Sequence, residues 1–142
     1  MGVKVNWDDP DQTILRYDFT APWDCESYVA AADEEWQMLD DSDCRVDTIV
    51  DLTRLESLPE DIARRIWSAA AHLHPKRCLL VLVGAPDITG TFARILTVIC
   101  PKSADDIVQV TTLGAARLVI SMQYGFIYEE CDHLGIIERC AG

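Results

Sequence analysis

Six consecutive apolar residues, Cys78–Val83, leave this chain few ways to fold. The run is closed by Gly84-Ala85-Pro86-Asp87, a turn sequence. It is far shorter than the ~18 residues a membrane span needs. Read as a strand, it has no polar side to show to water, so both of its faces must be covered. Such strands lie in the middle of parallel sheets, with helices packed against them. A layered α/β domain is therefore expected.

The flanking segments fit that frame. Val3, Val5 and Trp7 alternate with Lys4 and Asn6, and Leu15, Tyr17 and Phe19 alternate with Ile14, Arg16 and Asp18. This is the two-residue period of half-buried strands, and the turn-forming Asp8-Asp9-Pro10-Asp11 between them predicts a hairpin. Thr20-Ala21-Pro22 reads as the start of a helix, with Pro in the first turn. From Trp23 to Leu39 the stripe Val29, Ala32, Trp36 and Leu39 recurs at helical spacing, with Asp24, Glu26, Asp33, Glu34 and Glu35 on an acidic outer face. Asp40-Asp41-Ser42-Asp43 ends it in a solvated loop; calcium is not expected there, because EF-hand spacing and its Gly are missing.

The stretch Val46–Ile62 joins a third strand, Thr48–Leu52, to a second helix and is the first place to look for function. Ligands of open α/β sheets sit at the carboxyl ends of strands. Asp51, late in that strand, is read either as a cap for the following loop or as a site residue. Ser57-Leu58-Pro59-Glu60 has the spacing of a capping box, followed by a buried stripe of Ile62, Ile66, Ala69 and Leu73. His72 and His74 fall at that helix's end and are read as surface residues.

A third helix is expected over Asp87–Ile99, carrying Ile88, Phe92, Ile95, Leu96 and Ile99, and stopped by Pro101. Gly90 weakens its first turns by about 1 kcal/mol. Ile107, Val108 and Val110 make a last strand, and Thr112 caps a final helix with the stripe Leu113, Ala116 and Ile120. Residues 1–121 form one domain. Residues 122–142 form an extension, read as a docked helix or a self-association segment.

The 142 residues carry a net charge of −12, unevenly spread. Residues 1–61 hold 17 acids and 4 bases, and residues 62–142 hold 7 acids and 8 bases. That acidity repels phosphate backbones, so nucleic acid is not an expected partner. It serves solubility, or a basic protein partner. MGVKVNWDD has no apolar signal core, and Asn6 stands where a myristoylation signal wants Ser or Thr, so a cytoplasmic location is expected, with no integral membrane segment. Of six cysteines, Cys78 and Cys100 read as small core residues, and no disulfide framework is expected. Cys131, His133 and Cys140 match no common zinc spacing, so no metal or other cofactor is expected.

The predicted order is β-β-α-β-α-β-α-β-α, a mostly parallel sheet of about five strands with about four helices. With Trp7-Asp8, Ile14–Thr20 followed by Pro22-Trp23, Val46–Leu52 and Val81–Ala85, the chain resembles the STAS-like superfamily, the fold of the anti-sigma factor antagonists, and within it the SpoIIAA-like branch. The resemblance covers about residues 3–121. It implies a non-enzymatic regulatory or protein-interaction module. In the antagonists an Asp-Ser-[Ser/Thr]-Gly stretch after the third strand is phosphorylated on its Ser. Glu56-Ser57-Leu58-Pro59 occupies that region here, without the Asp, the second hydroxyl or the Gly, and makes Ser57 the phosphorylation candidate.

Related folds of the Sec14 type bind lipids. This makes a carrier of a small apolar ligand or lipid the alternative, with Ile88, Phe92, Ile95, Leu96 and Ile99 facing Ile62 and Ile66 near Asp51. An enzyme is the third class. The chain has no G-x-S-x-G, P-loop or G-x-G-x-x-G and only three His, so catalysis is not expected. A protein partner, a small apolar ligand or a second copy of the chain remain as binding partners.

Overall fold

The computed structural model describes residues 2–42, 45–70, 77–101 and 106–122. Five strands, β1 (Val3–Trp7), β2 (Ile14–Phe19), β3 (Val46–Asp51), β4 (Arg77–Val83) and β5 (Ile107–Val110), form one sheet in sequential order. β1 and β2 are an antiparallel hairpin, and the remaining neighbours are parallel. The helices are α1 (Cys25–Asp40), α2 (Ile62–Ala70), α3 (Pro86–Ile99) and α4 (113–122). The α/β class, the hairpin and the mixed sheet are as the sequence predicts.

Each crossover steps one strand further in the same direction, so crossovers of one hand place their helices on one face. Val5, Tyr17, Val50 and Leu82 share that face, and α1, α2 and α3 pack against it. Ile49, Val81 and Val83 point the other way, onto Ala116 and Ile120 of α4. β4 is thus covered on both sides, which is why Leu79–Val83 is apolar throughout. No helix among the described residues is long and apolar enough to cross a membrane.

The core of the three-helix face is aromatic. Phe19 ends β2 with its ring 5.0 Å from Trp23, 5.1 Å from Tyr28 and 5.9 Å from Phe92, all edge-on. Edge-to-face rings at these separations add to the area they bury.

Several local readings are corrected. Pro22 lies before α1, in a cis peptide with Ala21, and not in its first turn. Asp24 caps the helix instead: its carboxylate accepts the Ser27 amide (2.8 Å), and the Asp24 amide donates to Ser27 Oγ (3.2 Å). The inner face of α1 is Tyr28, Ala31, Ala32, Glu35 and Leu39, so Glu35 belongs to the core and not to the acidic outer face, while Val29 and Trp36 are half-buried. β3 starts two residues earlier than predicted.

The capping box at Ser57 does not form. The half-buried Leu58 packs on the core and Leu55 is buried, which holds the segment in a loop over the sheet's end. α2 begins only at Ile62, whose amide donates to the Pro59 carbonyl (3.1 Å). Cys78 and Cys100 are half-buried, not core, and Cys25 and Cys100 are free thiols. Leu73, His72, His74, the Cys131–Cys140 group and residues 123–142 lie outside the described residues.

Gly84 is the junction that lets β4 turn into α3. Its φ is +156°, and a Cβ there would meet Leu52 Cβ at 3.3 Å. Its amide donates to the Val110 carbonyl (3.1 Å). Gly90, inside α3, is different. A Cβ there would meet only Gln109 Oε1, at an ordinary 3.7 Å. Gly90→Ala should therefore stabilise the domain by about 0.5–1 kcal/mol, read as a higher urea midpoint. A lower midpoint would mean that the Thr89–Gln109 hydrogen bond (3.2 Å) depends on the glycine.

Candidate functional site

α2 and α3 both turn a buried stripe to the sheet, and next to those stripes they face each other. On α2, Ile62, Ile66 and Ala69 point inward, which leaves Ala63 and Trp67 one turn apart on the flank. On α3, Ile88, Phe92, Ala93 and Leu96 point inward, and Arg94, Ile95, Val98 and Ile99 form the flank. Ala63 is too short to reach across, so an open groove of about 260 Å³ runs between the helices, lined by these six flank residues. Trp67 is 64% exposed and Val98 77%. Large apolar side chains beside a concavity mark an interaction surface more often than isolated exposed ones do.

Of the pocket candidates read from sequence, Ile95 and Ile99 line this groove. Ile62, Ile66, Ile88, Phe92 and Leu96 lie beneath it in the core. Asp51 is not brought to it. By strand alternation Asp51 shares the α4 face with Ile49, and its Oδ1 accepts the Thr53 amide (3.0 Å) and hydroxyl (2.6 Å), closing the loop after β3. Ser57 sits exposed in a bend, five positions before α2.

Sequence reasoning passed over Ala63, Trp67, Arg94 and Val98. One signal was available: Trp67 stands off the Ile62–Ile66–Ala69 stripe, on the side of an amphipathic helix where a polar residue is normal.

Three polar clusters elsewhere tie the layers together. Glu35, fully buried, accepts the Tyr17 hydroxyl at Oε1 (2.9 Å) and the Thr48 hydroxyl at Oε2 (3.4 Å), joining α1 to β2 and β3. Asp47 lies where the β3–β4 register shifts. There its Oδ1 takes the Leu79 amide (2.9 Å) and Arg45 Nη2 (3.1 Å). Its Oδ2 has no hydrogen-bond partner among the described residues. Burial pushes the Asp47 carboxyl above the usual carboxylate range, against the opposing pull of Arg45 and the Leu79 amide.

Asp8, in the hairpin, is held by Arg16 Nη1 (2.6 Å) and by Nε and Nη2 of Arg117 (both 2.9 Å), which anchors α4. Its burial raises the carboxyl, but the two guanidinium groups outweigh that and hold it below its ordinary value. These clusters are all internal bonds. Among the described residues no group of three or more His, Cys, Asp or Glu is placed to hold a metal ion.

Compared with protein-family models and with curated proteins, the chain matches none.

Proposed function

We propose that this domain is a non-enzymatic protein-interaction module of the STAS-like superfamily, and that the α2–α3 groove is its contact surface. The exposed Trp67 and Val98 beside Ile95 and Ile99 carry this reading. Tryptophan and arginine are the residues that most often dominate binding energy at protein interfaces, and both line this groove. The strand order, the N-terminal hairpin and three helices on one face support the family assignment. Ser57 is exposed and so within reach of a kinase, which keeps it the candidate modification site. The free thiols of Cys25 and Cys100 support a reducing, cytoplasmic setting.

The second reading is a carrier of a small apolar ligand or lipid. The same groove favours it, since Ile95 and Ile99 form an apolar floor. Ligand pockets generally enclose most of their ligand. Here Trp67 and Val98 are largely open to solvent, which favours the interaction reading.

Native mass spectrometry of protein purified without detergent tests the choice. The expected spectrum shows the bare chain, as a monomer or dimer, with no gain on adding fatty acid. A non-covalent adduct that leaves on mild activation, or saturable uptake of fatty acid, would overturn the interaction reading in favour of the carrier.

A further inference from the structure

The groove's lining falls into rows. Ala63 and Trp67 are one turn apart on α2, and Arg94/Val98 and Ile95/Ile99 are two such pairs on α3. Rows of residues four apart are the ridges that a neighbouring helix packs between. α2 and α3 thus present two facing helix flanks, with Trp67 and Val98 left exposed along them. The space is an open trough walled by Trp67 and Val98, and an occupant confined to its 260 Å³ would leave much of both walls in water. A helix laid along it would cover them.

Charge limits which helix fits. The protein is acidic overall, yet the groove's lining carries a single charge, that of Arg94, and no acid. Arg64 and Arg65 are taken up by Asp61 at the start of α2. Arg94 lines the groove, and its guanidinium donates to the Thr91 hydroxyl (3.3 Å); it has no carboxylate partner among the described residues. Asp61, the acid at the start of α2, is already paired with Arg64 and Arg65, so Arg94 is the charge that the groove offers a partner.

We infer that the α2–α3 groove receives an amphipathic helix of a protein partner, with apolar residues four apart in the trough and a carboxylate set against Arg94. This rests on the interaction reading above and adds the chemistry of the partner. Helix-in-groove recognition works through such spaced apolar anchors. The carboxylate fixes register and excludes basic helices.

The test is selection of a displayed library of amphipathic helical peptides, roughly 18 residues or five turns long, on the full chain and in parallel on a Trp67→Ala/Val98→Ser variant. Both substitutions are at exposed positions, and an unchanged urea midpoint checks that the variant folds. Enrichment on the native chain alone is expected, with Asp or Glu within one turn of the apolar pair. Arg94→Glu should weaken the best such peptide about tenfold, and a peptide with that acid changed to Lys should recover binding to Arg94→Glu.

Equal enrichment on the groove variant would overturn the inference while leaving an interaction module that uses another face. No enrichment on either would overturn both. Peptides without an acid preference, unaffected by Arg94→Glu, would overturn the assignment of the carboxylate. Groove-dependent binding of dodecanoate without any peptide binding would replace the helix with a small anionic amphiphile.

Discussion

Phe19→Ala should lower the stability of this domain by about 3–5 kcal/mol, the range for removing a large buried aromatic ring. Phe19 is fully buried, and its ring meets those of Tyr17, Trp23, Tyr28 and Phe92. These come from β2, the segment before α1, α1 itself and α3, so one truncation loosens the sheet from two helices at once. Rigid neighbouring rings cannot fold into the space, and a cavity remains. With a urea slope of about 2 kcal/mol/M, the midpoint should fall by about 1.5–2.5 M. Such a loss is a large part of the 5–15 kcal/mol that holds a typical domain folded. A drop of less than about 0.5 M would show that the aromatic cluster collapses into the gap and is not the rigid centre of the core.

The second large effect is expected at Arg45. Arg45→Met keeps most of the buried stem but removes the cation from Asp47, which is itself fully buried. Breaking a buried pair by removing one partner costs about 3 kcal/mol or more near neutral pH. The pH dependence identifies the cause. Asp47 in the folded protein holds its proton above the ordinary aspartate value of 3.8. Below that value both states are protonated and the site costs nothing. As pH rises through it, the unfolded chain ionises first, so stability falls until the folded-state pKa is passed and then levels.

Without Arg45 the folded pKa climbs further and the decline continues to higher pH. Urea midpoints of wild type and Arg45→Met should therefore lie close together near pH 3.5 and diverge toward pH 7. A deficit of the same size at every pH would mean that Arg45 acts by packing alone.

Where the sequence could be read correctly, the determining interactions are short in range. The alternation of Val3, Val5 and Trp7 against Leu15, Tyr17 and Phe19 predicts a hairpin, and the register Val5–Tyr17 and Trp7–Leu15 is what that alternation requires. The wholly apolar Leu79–Val83 predicts a strand covered twice, and it is. Thr112 predicts a cap, and its Oγ1 accepts the Ala115 amide (3.1 Å).

Local patterns misled where a contact from far along the chain competed with them. Ser57-Leu58-Pro59-Glu60 has the letters of a capping box, but Leu55 and Leu58 gain more from packing against the core, and the helix starts at Ile62. Glu35 looks like one of a run of surface acids. It sits seven residues after Tyr28, on the buried stripe, and is accommodated because Tyr17 and Thr48 supply hydroxyls from two strands. No neighbour in sequence announces those donors.

By itself, then, the sequence determined the α/β class, the hairpin, the order of strands and helices and most of the core, because periodicity and turn chemistry act within a few residues. The groove was a tertiary decision. Ala63 and Trp67 lie about thirty positions from Arg94 and Val98, and only the packing of α2 beside α3 on one face of the sheet brings them together. The same packing chose which apolar residues became core and which stayed in the light: Ile62, Ile66, Phe92 and Leu96 went under, while Trp67 and Val98 were left at the surface because they stand on the flanks of α2 and α3 and not on the stripes that face the sheet.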